Sequence, residues 1–135
     1  GLAPSASGTT LRIVGNDVYY TSSSKYTKTD IMPLVEDFTK ILKAQPVSFT
    51  DISTQEHHIG YIAEDFADIG LENLVIFQDG KPISLSYELI SMYNLEIIKE
   101  QQKQIESAKL ENQQLKSELQ ALKEKIDRIE AMLTE

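Results

Sequence analysis

The last third of the chain carries a seven-residue hydrophobic repeat, the pattern of a helix that coils around copies of itself. Two seam positions recur from Ile98 onward: Ile98, Ile105, Asn112, Leu119, Ile126 and Leu133 at the first, and Gln101, Ala108, Leu115, Leu122 and Ile129 at the second. Apart from the two amides these residues are apolar. A solvated helix on a monomer is the alternative, but it would leave a continuous apolar stripe in water. The repeat therefore predicts a coiled coil over residues 98–135.

Charged residues beside the seam indicate how the helices associate. Opposite charges stand at the five-residue offset that bridges neighbouring parallel helices: Glu111 with Lys116, Glu118 with Lys123, and Lys125 with Glu130. Gln101 and Asn112 cost stability in the seam but penalise slipped registers. A parallel, in-register bundle is therefore expected, although leucine and isoleucine occur at both seam positions and do not by themselves separate two strands from three.

Length, charge and cysteine content restrict the remaining possibilities. Of the 135 residues, about 85 remain for a globular head, which limits it to one small domain. A net charge of −8 argues against nucleic acid or an anionic membrane as a partner. No apolar run approaches the length of a membrane-spanning helix, and the first residues do not have the pattern of a signal peptide. The lack of cysteine excludes disulfides, thiolate nucleophiles and zinc–thiolate sites.

The head is predicted to be α+β, with short strands and helices followed by the long carboxy-terminal helix. Residues 1–9 are small and polar and are interpreted as a flexible lead-in. The first predicted elements are strands 11–14 and 18–20, a polar loop 21–29, and an amphipathic helix 31–42 with Pro33 in its first turn. Strands 47–52 and 58–62 follow, and then a short helix that stops at Gly70. Strands 74–77 and 83–85 flank an Asp79–Gly80 turn, and Ser86 caps the final helix. We expect Leu89, Ile90, Tyr93, Ile97 and Ile98 to pack this helix against the head.

Most polar clusters in the head have a simple structural interpretation. His57 and His58 are adjacent in a predicted strand, so their side chains point to opposite faces, and no third ligand has suitable spacing. Glu64, Asp65 and Asp68 fit the solvated face of a short helix. No glycine-rich phosphate loop and no Ser/His/Asp pattern of a hydrolase is present. Neither a metal nor a cofactor is expected.

The loop from Ser22 to Lys28 is the exception, because it combines serines with lysines. A serine hydroxyl attacks a carbonyl when a neighbouring lysine, held neutral by partial burial, takes its proton. A lysine with an ordinary pKa of about 10.4 is protonated at neutral pH and cannot act as that base. Taken alone, a Ser/Lys-rich loop is weak evidence for catalysis.

Three motifs in the head suggest a family in which such a loop has a function. They are Lys28-Thr29-Asp30-Ile31 followed by Pro33-Leu34, then Pro46-Val47-Ser48-Phe49, and Gly60-Tyr61-Ile62-Ala63-Glu64-Asp65. Their order, from Ser22 to about Glu106, resembles the C-terminal intramolecular chaperone domain of phage tailspikes, endosialidases and neck appendage proteins. The resemblance implies a domain that trimerises, nucleates folding of the β-rich spike or fibre preceding it, and then cuts itself off immediately before a serine.

Carried over to this sequence, the resemblance implies Ser23 as the nucleophile, Lys28 as the base, and cleavage of the Ser22–Ser23 peptide. Glu64 is the third site residue, a carboxylate that a neighbouring copy would bring to position the lysine. Many family members have Asp or Arg directly after the serine, whereas this chain has Ser24. Three consecutive serines keep Ser24 open as an alternative nucleophile.

The resemblance also implies how the chain is divided and where it acts. Residues 1–22 would be the lead-in and the end of an upstream β-rich segment, 23–97 the chaperone head, and 98–135 the trimerisation helix. The partners would be two further copies and the upstream segment of the same chain, in a virion appendage precursor assembled in the host cytoplasm and freed of its chaperone after cleavage. A non-catalytic trimerisation tip and a receptor-binding module of a fibre are the alternatives.

Overall fold

The computed structural model describes the backbone of residues 11–14 and 17–20, and residues 23–134 in full. The chain divides between Glu36 and Asp37 into two units. In the first, strand β1 (Leu11–Val14) pairs antiparallel with strand β2 (Asp17–Tyr20). The predicted hairpin is confirmed, with β2 beginning one residue earlier than expected because Asp17 pairs with Val14. The predicted lead-in lies outside the described residues.

The predicted helix over residues 31–42 is wrong in its first half. Residues 31–37 have no regular structure, and a 3-10 helix instead spans Phe38–Lys43. Met32 precedes a proline, which disfavours helical backbone at that residue. Asp37 starts the helix, since its carboxylate accepts the Thr39 N–H at 3.0 Å. Four apolar side chains before this start are exposed: Ile31, Met32, Leu34 and Val35.

The second unit contains two further hairpins and a short helix between them. Strands β3 (Val47–Thr50) and β4 (His57–Gly60) pair antiparallel. Helix α1 (Ala63–Asp68) ends before Gly70, whose φ of +78° places it in the left-handed region that glycine adopts readily. Strands β5 (Val75–Gln78) and β6 (Lys81–Leu85) also pair antiparallel. These strand pairs, and the helix that stops at Gly70, confirm the predicted order of elements.

Helix α2 (Tyr87–Leu133) has 47 residues, which at 1.5 Å per residue gives a length of about 70 Å. Ser86 occupies its N-cap position as predicted. Its side chain makes no capping hydrogen bond with the described residues, so the predicted hydroxyl cap is wrong. The Ser86 carbonyl accepts the Leu89 N–H at 3.0 Å instead.

The core of the second unit lies between the short elements and the first turns of α2. Its buried members are Ile41, Ala63, Phe66, Leu71, Leu74, Val75, Leu85 and Tyr93. Tyr93 from α2 is only 1% exposed, and its ring meets that of Phe38 edge to face at 5.2 Å between centroids. Leu89, Ile90 and Ile97 pack around this core as predicted, whereas Ile98 is exposed. The helix that carries the seam therefore also completes the core.

The fold is thus α+β, with short antiparallel strands followed by a long helix, as predicted. From Ile98 to Thr134 every side chain of the chain is exposed. No described helix combines the length and the apolar character needed to cross a membrane.

Candidate functional site

The Ser/Lys loop contains a compact turn that the sequence did not predict. A 3-10 helix spans Lys25–Thr27, and Ser24 is its N-cap residue. The Ser24 Oγ accepts the Tyr26 N–H at 3.3 Å, and the Ser24 carbonyl accepts the Thr27 N–H at 3.2 Å. The signal for this turn was present, because serine is among the residues preferred at an N-cap.

The turn brings Lys28 back towards Ser24. The Lys28 Nζ donates to the Ser24 carbonyl oxygen at 3.4 Å, and the Lys28 N–H donates to the Lys25 carbonyl at 3.3 Å. The amine therefore lies against the residue directly after Ser23. Ser23 and Lys28 are both exposed in the single chain.

The carbonyl of Ser24 collects several hydrogen bonds at this turn. Besides the Lys28 ammonium, the Thr27 Oγ1 donates to it at 2.9 Å. Lys25 points elsewhere, with its Nζ 5.2 Å from the centroid of the Tyr26 ring. Of the two lysines in the turn, Lys28, which the family resemblance selects, is thus the one whose amine contacts the Ser24 carbonyl.

The structure places Glu64 on another element. It lies exposed in the first turn of α1, in the second unit, whereas Ser23 and Lys28 belong to the first. The roles of Ser23, Lys28 and Glu64 stay predictions.

Two other carboxylates have lowered pKa values, and both serve turns. The Thr39 hydroxyl and then its N–H hold the pKa of Asp37 below its ordinary value. The Ser53 hydroxyl, followed by the N–H groups of Thr54 and Ser53, lowers the pKa of Asp51 to about 2. Charge at these residues therefore stabilises local loops. In the described part of the chain no three His, Cys, Asp or Glu side chains gather as metal ligands.

The seam of α2 is a second candidate surface. Its leucine and isoleucine side chains range in exposure from 45% at Ile126 to 80% at Leu133. The flanking charges make no ion pair within the described chain: Glu111, Lys116, Glu118, Lys123, Lys125 and Glu130. Nearer the head, Lys99 does pair with Glu96 along the helix, at 2.7 Å. Within the helix, Glu118 accepts a hydrogen bond from the Gln114 side chain at 3.1 Å.

Residues 23–76 match a peptidase family of chaperone domains, the family described as "Chaperone of endosialidase". The match covers less than half of the chain, begins at Ser23 and ends within β5. The family resemblance inferred from the motifs is therefore confirmed. No curated protein and no solved structure matches the chain.

Proposed function

We propose that this domain trimerises, sets the register of a β-rich spike or fibre segment preceding it, and then releases itself by cleavage before Ser23. The observation that carries the proposal is the coincidence at one turn of two features. The family match begins at Ser23, and the Lys28 amine returns to within 3.4 Å of the adjacent Ser24 carbonyl.

The trimer is supported by the seam of α2. This apolar stripe is roughly 35 residues long and about half exposed in one chain. Covering it with further copies would stabilise the assembly by roughly 1.5–3 kcal/mol for each buried aliphatic side chain, before entropy is subtracted. The flanking charges form no ion pair along their own helix, and in a parallel bundle they would be placed to pair between helices. Three strands are chosen over two on the family resemblance.

The proposed chemistry uses the chain's own groups and one water molecule. The neutral Lys28 amine takes the Ser23 hydroxyl proton as Oγ attacks the carbonyl carbon of Ser22. A C–O bond forms, the Ser22–Ser23 C–N bond breaks, and the lysine returns its proton to the departing Ser23 nitrogen. Water then hydrolyses the resulting ester, which leaves a carboxylate on Ser22 and restores the Ser23 hydroxyl.

Assembly supplies the environment that this chemistry needs. Lys28 is exposed in the single chain, where water stabilises its charged form. Closing three copies around the turn would remove water and so favour the neutral amine. A neighbour's Glu64 would hold the lysine in place, although its negative charge would favour the charged form. Cleavage would then wait for the trimer, which prevents premature release.

Cleavage after assembly would also stabilise the product kinetically. Intertwined chains must come into register before any local contact stabilises them. This process is slow, and it leaves strand edges exposed meanwhile. A coiled coil forms from contacts local to each helix and sets the stagger early. Once the chaperone is severed, the upstream trimer loses the element that aligned its chains and is kinetically trapped. We place this sequence of events in a virion appendage precursor in the host cytoplasm.

The test is intact mass of purified chains that carry an upstream segment. Ser23→Ala and Lys28→Ala should each leave that segment attached while the oligomer stays intact. Lys28→Arg should also fail, because a guanidinium does not give up its proton. Lys25→Ala is the matched control, since Lys25 lies in the same turn but contacts Tyr26, and it should be cleaved normally. Normal cleavage of both Ser23→Ala and Lys28→Ala would exclude the mechanism.

Light scattering at micromolar concentration tests the assembly separately. A mass of three chains supports the proposal, and a monomer or dimer mass removes its basis. A trimer whose wild-type chain is never cut would be a non-catalytic trimerisation tip.

A further inference from the structure

We infer that Ser24 and Thr27 are positioning residues for self-cleavage: they hold the turn that carries the Lys28 amine back to the Ser24 carbonyl, one residue after Ser23. The inference rests on the proposed function and assigns two side chains that the Ser–Lys pair does not include. It also separates the roles of the consecutive serines, giving the nucleophile to Ser23 and the cap to Ser24.

The hydrogen bonds of Ser24 carry this assignment. Its Oγ accepts the Tyr26 N–H, the bond that an N-cap side chain supplies to an otherwise unpaired donor. Its backbone is extended, with φ −65° and ψ +134°, as an N-cap residue requires. Its carbonyl accepts the Thr27 N–H and begins the 3-10 helix. Ser24 is thus built into the turn through both its side chain and its main chain.

The turn is short, so its cap determines the fraction of molecules in which the turn is formed. It has three helical residues, none of them buried, so hydrophobic packing does not stabilise it in the single chain. Helical turns this short are intrinsically unstable, because the entropy lost in fixing the backbone outweighs the stabilisation from their few hydrogen bonds. Losing the cap should therefore release Lys28 from the serines.

Thr27 has a distinct part in the arrangement. Its Oγ1 donates to the same Ser24 carbonyl that holds the Lys28 ammonium, at 2.9 Å against 3.4 Å. To accept the Ser23 proton, Lys28 must turn its nitrogen lone pair towards Ser23 and weaken its own bond to that carbonyl. Thr27 keeps the carbonyl hydrogen-bonded when it does so, and the turn persists through the proton transfer.

The experiment compares substitutions that keep the cap with substitutions that remove it, measured by the rate of cleavage of trimeric protein. Asparagine caps about as well as serine but has no hydroxyl, so Ser24→Asn should be cleaved within about twofold of the wild-type rate. Ser24→Ala should be about fivefold slower, the factor that loss of a typical cap gives in a local equilibrium. Thr27→Val should be slowed as well, and Thr27→Ser should restore the rate.

Other outcomes overturn the inference in identifiable ways. If Ser24→Asn abolishes cleavage while Ser23→Ala is cut, Ser24 is the nucleophile. If Ser24→Ala and Thr27→Val are cut at the wild-type rate, neither residue positions Lys28. If even the wild-type chain is uncut, the proposed function fails, and amide hydrogen exchange then decides the structural part. Faster exchange at Tyr26 and Lys28 in Ser24→Ala but not in Ser24→Asn supports the cap, and equal exchange in both refutes it.

Discussion

Short polar side chains start the turns of this chain by accepting backbone N–H groups. Ser24, Asp37 and Asp51 each do so within two or three residues of their own position. Residue preference indicates such caps, but it does not say which of several eligible side chains will be used. In the run Ser22-Ser23-Ser24 the choice of Ser24 depends on the backbone geometry that follows, and sequence reasoning missed it.

Asp51 gives the residue-scale prediction, a loss of local stability in acid. Hydrogen bonds from Ser53 and Thr54 lower its pKa from 3.8 to about 2. Its carboxylate therefore stabilises the β3–β4 loop fully above pH 3.8, and the stabilisation is lost as the pH falls through about 2. Protection of the Ser53 and Thr54 amides, measured by NMR as the exchange rate relative to that of an unstructured chain at the same pH, should fall across this range on acidification.

Asp51→Asn is the control for that measurement. The amide keeps an acceptor oxygen but carries no charge, so protection of these two N–H groups should be lower at neutral pH and nearly independent of acidification. A carboxyl resonance of Asp51 that titrated close to 3.8 would contradict the assigned hydrogen bonds.

At the scale of elements, local chemistry decided which predictions succeeded. The Asp79–Gly80 turn was found because both residues have positive φ, of 50° and 74°, a backbone that Asp-Gly pairs favour. The end of helix α1 before Gly70 was predicted correctly for a similar reason, because Gly70 also has a positive φ, of 78°. The helix over residues 31–42 was wrong because apolar spacing at Leu34, Phe38, Ile41 and Leu42 was read as one face, although only Ile41 among these is buried. Periodicity does not reveal where a competing cap will begin the helix.

The junction between the β3–β4 hairpin and α2 gives the element-scale prediction. The Tyr87 Oη accepts the Tyr61 N–H at 2.9 Å, and a Cβ added at Gly60 would lie 2.8 Å from that oxygen. Gly60→Ala should therefore destabilise the fold by about 1–2 kcal/mol, by displacing Tyr87 and weakening its bond. Urea unfolding at one fixed protein concentration measures the change.

A double-substitution cycle tests the cause. Tyr87→Phe removes the oxygen at a cost of about 1 kcal/mol, and in that background Gly60→Ala should cost less than it does alone. Gly80→Ala is the control, because nothing lies within 4 Å of its added Cβ and only its φ of +74° makes it unfavourable. Its cost, about 1 kcal/mol, should be the same in both backgrounds. Strict additivity for Gly60 and Tyr87 would mean that they do not interact.

At the scale of the whole molecule, the long helix was the most predictable feature and its partners the least. A seven-residue repeat specifies a helix and an apolar face from local information alone. A single chain does not specify a partner for that face. The same limit applies to the candidate site, because the serines and the lysine are visible in the sequence whereas the burial that would make the lysine neutral depends on assembly.

Truncation before Ile105 is the prediction at this scale. It removes most of the apolar seam: Ile105, Leu115, Leu119, Leu122, Ile126, Ile129 and Leu133. Each would stabilise the bundle by roughly 1.5–3 kcal/mol before entropy is subtracted. The remaining head, of about 100 residues and with a thin core, should melt at a clearly lower temperature. An unchanged melting temperature would show that the head needs no partner.

Two leucines of α2 refine this test without shortening the chain. Leu119 lies in the seam and Leu110 outside it, and both are largely exposed in the single chain, at 52% and 68%. Leu119→Ala should lower the melting temperature because it removes a side chain buried by assembly. Leu110→Ala should change it little. Equal effects would mean that the seam has been assigned to the wrong face.

The burial of Tyr93 has a consequence for the order of synthesis. This residue completes a core whose other members, from Ile41 to Leu85, precede it in the chain. A ribosome makes the chain from its amino terminus, so the core stays open until the first turns of α2 have emerged. Residues upstream of Ser23 thus leave the ribosome before the domain after them can close, so under the proposed function their alignment would begin only after translation has passed Tyr93.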